Sequence, residues 1–258
     1  MQNQLKIALV QTELVWQDPE SNRNMLKGKI DPIVEEVDII ILPEMFSTGF
    51  TMNPQECAET MEGPTVAWMK QIARDKNAAV VASLAIESQR NYYNRLLFVK
   101  PDGEIETYDK RHLFSLASED KVYTSGKDRL VTAFRGFRIC PLICYDLRFP
   151  AFSRNTEDFD LLIYVANWPQ QRIIAWDALL KARAIENMCY VAAVNRVGDD
   201  IDDNLYPGHS QGLDYLGEPI VSAWKNEGIF IFPIDKQEML EARQKLGFLE
   251  DRDAIAVS

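Results

Sequence analysis

Short runs of β-branched and other apolar residues alternate with longer amphipathic stretches along nearly the whole chain, and this alternation most constrains the fold. Residues 5–12 read as a strand, 21–35 as a helix and 37–43 as a fully buried strand, together a βαβ unit. Residues 64–77 place Val66, Met69, Ile72 and Ala73 on one helical face. Strands follow at 78–86 and 94–100, and Pro101-Asp102-Gly103-Glu104 supplies a hairpin turn into a strand over 105–108. Residues 110–127 are mostly polar and predict a long loop, the kind of segment that tends to carry function. Further strands are expected at 130–134, 137–143 and 160–166. Over 170–187, Ile173, Trp176, Leu180 and Ala184 recur at the spacing of a core-packed helix. Strands over 190–197, 211–215, 220–224 and 229–233 and a helix from Lys236 to Leu246, stopped by Gly247, complete the pattern. With no Pro/Gly/Ser-rich linker and no repeat, a single α/β domain over 1–258 is expected.

A chain of 258 residues that is 47% hydrophobic can bury a large core. Lys+Arg 28 against Asp+Glu 39 gives a net charge of -11. Such a surface repels phosphate backbones and anionic headgroups, which argues against nucleic acid and membrane as partners. The apolar runs fall short of a membrane span, and the first residues lack a secretory signal pattern. Cys57, Cys140, Cys144 and Cys189 are irregularly spaced, so a reduced, cytoplasmic setting is expected. With two histidines and no paired-cysteine motif, neither a metal nor another cofactor is called for.

Cys144 ends the apolar run 137–143 and precedes a turn, where a nucleophile is presented beside free backbone N–H groups. Position alone leaves a buried packing cysteine equally open, and that reading suits Cys140 and Cys189 better. A cysteine is mostly thiol at neutral pH and needs a base or a nearby cation. His112 and His209 are candidates without a supporting pattern. Glu44 is another: it follows Ile39-Ile40-Ile41-Leu42-Pro43, where desolvation favours proton transfer. Lys110 closes the strand over 105–108, a position where a lysine is usually a surface charge.

Together these residues change the balance. The chain resembles the nitrilase superfamily of carbon–nitrogen hydrolases over essentially its whole length, and within it the bacterial omega-amidases. Leu42-Pro43-Glu44-Met45-Phe46 is similar to the family's first motif, Tyr108-Asp109-Lys110-Arg111-His112-Leu113-Phe114 to the second, and Leu142-Ile143-Cys144-Tyr145-Asp146-Leu147-Arg148-Phe149-Pro150 to the third. Glu119 looks like the second glutamate, Ala182-Arg183-Ala184-Ile185-Glu186-Asn187 like the helix behind the site, and 241–253 like the omega-amidase branch.

The resemblance implies a four-layer αββα sandwich and a small-molecule amide substrate. It casts Cys144 as nucleophile, Glu44 as proton carrier, Lys110 and the Tyr145 backbone N–H as oxyanion donors, and Glu119 as the residue orienting the lysine. It also implies omega-amidase substrates, short 2-oxo dicarboxylic acid monoamides such as 2-oxoglutaramate and 2-oxosuccinamate, and a homodimer. Such a substrate needs a cation for its distal carboxylate, and Arg172 is a candidate clamp, with Phe46 and Trp168 as candidate pocket walls. The alternatives are a carbamoylase, an aliphatic amidase, a deaminated-glutathione amidase, or a non-catalytic binding protein with the same fold.

Overall fold

Side chains two apart along a strand share a face, and β1 (Gln4–Gln11) uses both of its faces for core. Leu5, Ile7 and Leu9 enter one buried cluster, while Ala8 and Val10 enter another. The same parity splits β2 (Ile39–Ile41), whose Ile39 and Ile41 join the first cluster and Ile40 the second. A sheet buried on both faces must lie between two layers.

The computed structural model describes residues 3–255. After β1 and β2 come β3 (Ala79–Ser88), β4 (Asn91–Val99) and β5 (Ile105–Asp109). The second half lays down β6 (Thr132–Phe134), β7 (Phe137–Ile143), β8 (Leu161–Ala166) and β9 (Tyr190–Asn195). A small ribbon of β10 (Val197–Asp199) and β11 (Leu205–Pro207) follows, then β12 (Ser210–Leu213), β13 (Pro219–Trp224) and β14 (Gly228–Asp235). One six-stranded sheet has the order β14-β1-β2-β3-β4-β5 and the other β13-β12-β9-β8-β7-β6. Both are mixed, with β1-β2-β3 and β7-β8-β9 parallel at their centres.

The first cluster fills the space between the sheets, where Leu5, Ile7 and Phe98 are buried with Ile139 and Leu161, and continues on the helix side of the second sheet. The helices Pro19–Ile30 and Pro64–Lys76 cover the first sheet through Leu26, Ile30, Val66, Met69 and Ile72. The helices Ile173–Asn187 and Lys236–Leu246 contribute Trp176, Leu180, Ala184 and Met239 on the second sheet. The result is the four-layer αββα sandwich.

Several boundaries differ from those expected. The helix read over 21–35 spans Pro19–Ile30: Asp18 caps it by accepting from the Ser21 N–H at 3.0 Å, and Pro32 lacks the N–H needed to continue it. The strand expected over 190–197 breaks at Arg196, whose buried guanidinium donates to the Asp199 carbonyl at 2.8 Å. The helix over 170–187 opens with a 3-10 turn, Gln170–Arg172. Short helices at Pro54–Cys57 and Pro150–Ser153, and the β10–β11 ribbon, carry too few residues for periodicity to reveal. The loop over 110–127 holds two helical turns, Ser115–Ala117 and Glu119–Val122. Among the described residues no helix is long and apolar enough to cross a membrane.

Candidate active site

Carboxyl ends of parallel strands are where open α/β sheets gather their functional groups. Glu44 lies just beyond β2, Cys144 just beyond β7 and Asn167 just beyond β8. Lys110 follows β5, its N–H donating to the Asn94 carbonyl at 3.0 Å. Each sheet therefore delivers part of one cluster.

The cluster centres on the Lys110 ammonium, which is 1% exposed. It donates to Glu44 Oε1 at 2.8 Å and to Glu119 Oε1 and Oε2 at 3.0 and 2.9 Å. Burial alone favours the neutral amine, but the Glu119 and Glu44 carboxylates outweigh it and hold Lys110 above its ordinary value. Burial pushes the Glu119 carboxyl up, opposed by Lys110 and reinforced by Glu44. Asn94 on β4 bridges the acids, its Nδ2 donating to Glu44 Oε1 at 2.8 Å and Glu119 Oε1 at 3.1 Å. Glu44 Oε2 accepts the Asn167 N–H at 2.9 Å, and Glu119 Oε2 accepts the Phe114 N–H at 2.6 Å. Such saturation is what allows charges to persist out of water.

Cys144 begins the 3-10 turn Cys144–Arg148 with φ of 41°. That left-handed conformation costs a non-glycine residue about 1–2 kcal/mol and marks a backbone held by its surroundings. Ile143 N–H donates to Asp146 Oδ2 at 3.0 Å, closing a ring around the cysteine. From the far side, Arg183 Nη2 of the helix Ile173–Asn187 donates to the Leu147 carbonyl at 2.7 Å. Burial and the Glu44 charge push the Cys144 thiol well above its ordinary value, and Lys110 pulls it back only in part. Its Sγ lies 3.9 Å from the Asn167 carbonyl. A thiol in that state gives up its proton only to a base beside it.

Cys144 and Lys110 line a cavity of about 360 Å³. Tyr145 also borders it, its ring 4.9 Å from that of Phe114, and its backbone N–H donates to no group among the described residues. Trp168 forms part of the wall, held by its N–H to Asn195 Oδ1 at 2.7 Å and its Nε1 to the Arg172 carbonyl at 2.8 Å. Arg172 lines the cavity with its guanidinium 5.0 Å from the Phe114 ring centroid, and Arg148 does so 4.9 Å from that of Trp168. Neither arginine has a carboxylate partner among the described residues. The β10–β11 turn adds Asp200, Asp202 and Asn204. Asp200 is turned onto its own loop, accepting from Tyr206 OH at 2.8 Å and Asn204 Nδ2 at 3.0 Å.

Glu44, Lys110, Glu119, Cys144 and Tyr145 thus meet, and Trp168 and Arg172 border the same space. Phe46 does not. It is fully buried in the helix-side cluster of the first sheet, its ring 5.6 Å from that of Trp68, and Phe50 four residues on lines the cavity instead. Three residues that sequence reasoning passed over are part of the site: Asn94, Asn167 and Arg148. An asparagine within a strand is disfavoured and was a readable signal, whereas Asn167 and Arg148 carried none outside the fold. His209 faces elsewhere, its Nδ1 3.0 Å from Asp177 Oδ2, and Cys140 and Cys189 are buried in the core cluster. Among the described residues no group of three or more potential ligands could hold a metal ion.

The family model described as carbon–nitrogen hydrolase matches residues 6–244. An omega-amidase YafV of Yersinia enterocolitica is 48% identical over 214 residues, 83% of this chain and 83% of its own length. A 2-oxoglutaramate amidase of Bacillus subtilis is 32% identical over 250 residues, 95% of this chain and 96% of its own. A crystal structure from Xanthomonas campestris, a CN-hydrolase superfamily protein with an arsenic adduct in its active site, superposes with a TM-score of 0.97 at 42% identity, covering 100% of both chains.

Proposed function

Because the chain belongs to the carbon–nitrogen hydrolase family and is an amidase acting on linear amides, we propose that it hydrolyses the terminal amide of small 2-oxo dicarboxylic acid monoamides. The candidate substrates are 2-oxoglutaramate and 2-oxosuccinamate, and the products are the free acid and ammonia. The omega-amidase and 2-oxoglutaramate amidase relatives support this choice. The observation that carries it is one cavity lined by a thiol, an ammonium and two arginines without carboxylate partners, with a buried base hydrogen-bonded to that ammonium behind it.

Glu44 takes the Cys144 proton as the sulfur attacks the amide carbon. Negative charge gathers on the former carbonyl oxygen, where the Tyr145 N–H and Lys110 receive it. The ammonium has three protons: Glu44 takes one, the two Glu119 oxygens share another, and the third serves the oxyanion. Glu119 and Asn94 hold the ammonium in register while Glu44 changes protonation state. Glu44 then passes its proton to the departing nitrogen as the C–N bond breaks, leaving ammonia and a Cys144 thioester. In the second half Glu44 deprotonates a water that attacks the thioester, and the sulfur leaves as the thiol on regaining that proton. Arg172 and Arg148 bind the distal carboxylate, because guanidinium matches carboxylate geometry and their ring partners leave the N–H edges free.

We also propose a single domain, a homodimer and a cytoplasmic setting. The irregular spacing of the four cysteines supports the last. Ammonia release from 2-oxoglutaramate, measured beside carbamoyl amino acids, aliphatic amides and deaminated glutathione, tests the substrate class. Preference for any of those over the 2-oxo monoamides overturns it. Retention of turnover by Cys144→Ala overturns the mechanism.

A further inference from the structure

Asp146 is fully buried two residues beyond Cys144, and the chemistry proposed above gives it no part. Its carboxylate gathers four donors. Oδ2 accepts from Tyr108 OH at 2.8 Å and from the Ile143 N–H at 3.0 Å. Oδ1 accepts from the His112 N–H at 3.1 Å and lies 2.7 Å from His112 Nδ1. A carboxylate can only accept, which assigns the imidazole proton to Nδ1. Burial and the Asp146 charge both push the Tyr108 phenol up, so it too stays a donor.

The placement of these donors matters more than their number. Ile143 and Asp146 bracket Cys144, while Tyr108 and His112 bracket Lys110. One carboxylate is thus tied to the chain on both sides of two residues that come from different sheets. Tyr108 OH also accepts the Arg111 N–H at 3.0 Å, so the turn carrying Lys110 is held at three successive points. The His112 ring stacks on Phe149 with centroids 3.7 Å apart and planes 7° apart, and meets Phe152 edge-on at 5.2 Å.

We infer that Asp146 is a positioning residue for the amidase reaction, setting the separation of Cys144 and Lys110 through hydrogen bonds to His112 and Tyr108. The inference rests on the roles proposed for Cys144 and Lys110. A misplacement of about 1 Å between reacting groups costs about 10²-fold in rate, so the clamp acts on kcat.

Two substitutions at His112 separate the hydrogen bond from the stacking. His112→Phe keeps the stack and removes the donor. His112→Asn removes the stack and keeps a donor where Nδ1 was, whereas His112→Gln places its amide too far out. For each variant, kcat, KM, thermal midpoint and the rate of Cys144 alkylation by iodoacetamide, read by mass spectrometry, are measured. The clamp predicts that His112→Phe loses about 10²-fold in kcat with KM unchanged in the folded enzyme, and that His112→Asn retains more kcat than His112→Gln. Wild-type kcat in a folded His112→Phe, or equal losses in Asn and Gln, overturns it. Should His112→Phe not fold, Tyr108→Phe removes a single hydroxyl: lowered kcat at unchanged midpoint supports the clamp, and unchanged kcat overturns it. Cys144→Ala separates the two levels, since activity there defeats the proposed chemistry, whereas inactive Cys144→Ala beside active His112→Phe defeats only the clamp.

Discussion

Glu44 acts on Cys144 in two opposed ways, and one substitution tells them apart. Its charge pushes the thiol up, second only to burial, while Lys110 pulls it down. In Glu44→Gln the acid is gone and the ammonium remains, so the Cys144 pKa falls. Alkylation of Cys144 by iodoacetamide then has its pH midpoint shifted downward, while amide turnover drops by about 10²–10⁴-fold for want of a proton carrier. Amide turnover retained by Glu44→Gln would remove Glu44 from the role of base. The arginines allow a comparable separation. Arg172→Ala raises KM for anionic amides by about 10–10²-fold, the worth of a charged hydrogen bond, and leaves neutral amides nearly unaffected. Arg148→Ala does the same, and equal losses for both amide classes in steady-state assays would rule the pair out as a carboxylate clamp.

Among the elements, the loop over 110–127 bears most on the site. It leaves β5 at Lys110 and returns so closely that the Gly126 N–H donates to the Lys110 carbonyl at 3.0 Å. A Cβ at position 126 would lie 2.1 Å from the Asp109 carbonyl oxygen, so the two strands of chain cannot keep this approach with any larger residue. Gly126→Ala therefore displaces the start of the loop, lowering both the thermal midpoint and kcat, as a melt and a saturation assay would register. The extent of this loop was legible from its polarity, but polarity gave no sign that Glu119, which the motif resemblance singled out, is fully buried because Lys110, Asn94 and the Phe114 N–H satisfy it. Phe46 erred the other way: an aromatic after a strand end suggested a wall, yet the chain turns with Met45 at φ of 44° and sends Phe46 into the core. Glu44, Lys110 and Cys144 could be singled out because each follows a strand that periodicity detects, and the motif resemblance joined them. Asn167 and Arg148 could not, since their relevance depends on which strand ends stand side by side.

At the scale of the molecule, the strand-and-helix alternation made the α/β class readable, while the four-layer sandwich came from the motif resemblance, and the parity of β1 and β2 accounts for the burial of the first sheet on both faces. The order of strands within each sheet was not readable, because β14 pairs with β1 across more than two hundred residues through backbone groups that every residue possesses. That division of labour has a further consequence. The base, the ammonium and Glu119 ride on one slab of the sandwich and the sulfur on the other, joined across the core by Asn167 and the Asp146 cluster. Catalysis is therefore a calliper on the gap between slabs, sensitive to slippage far smaller than melting requires. As urea is raised, turnover should fade while far-ultraviolet circular dichroism still reports intact strands and helices, the site drawing on the low-stability end of the fold's local openings. Coincident midpoints for the two signals would mean that the slabs never slide without unfolding.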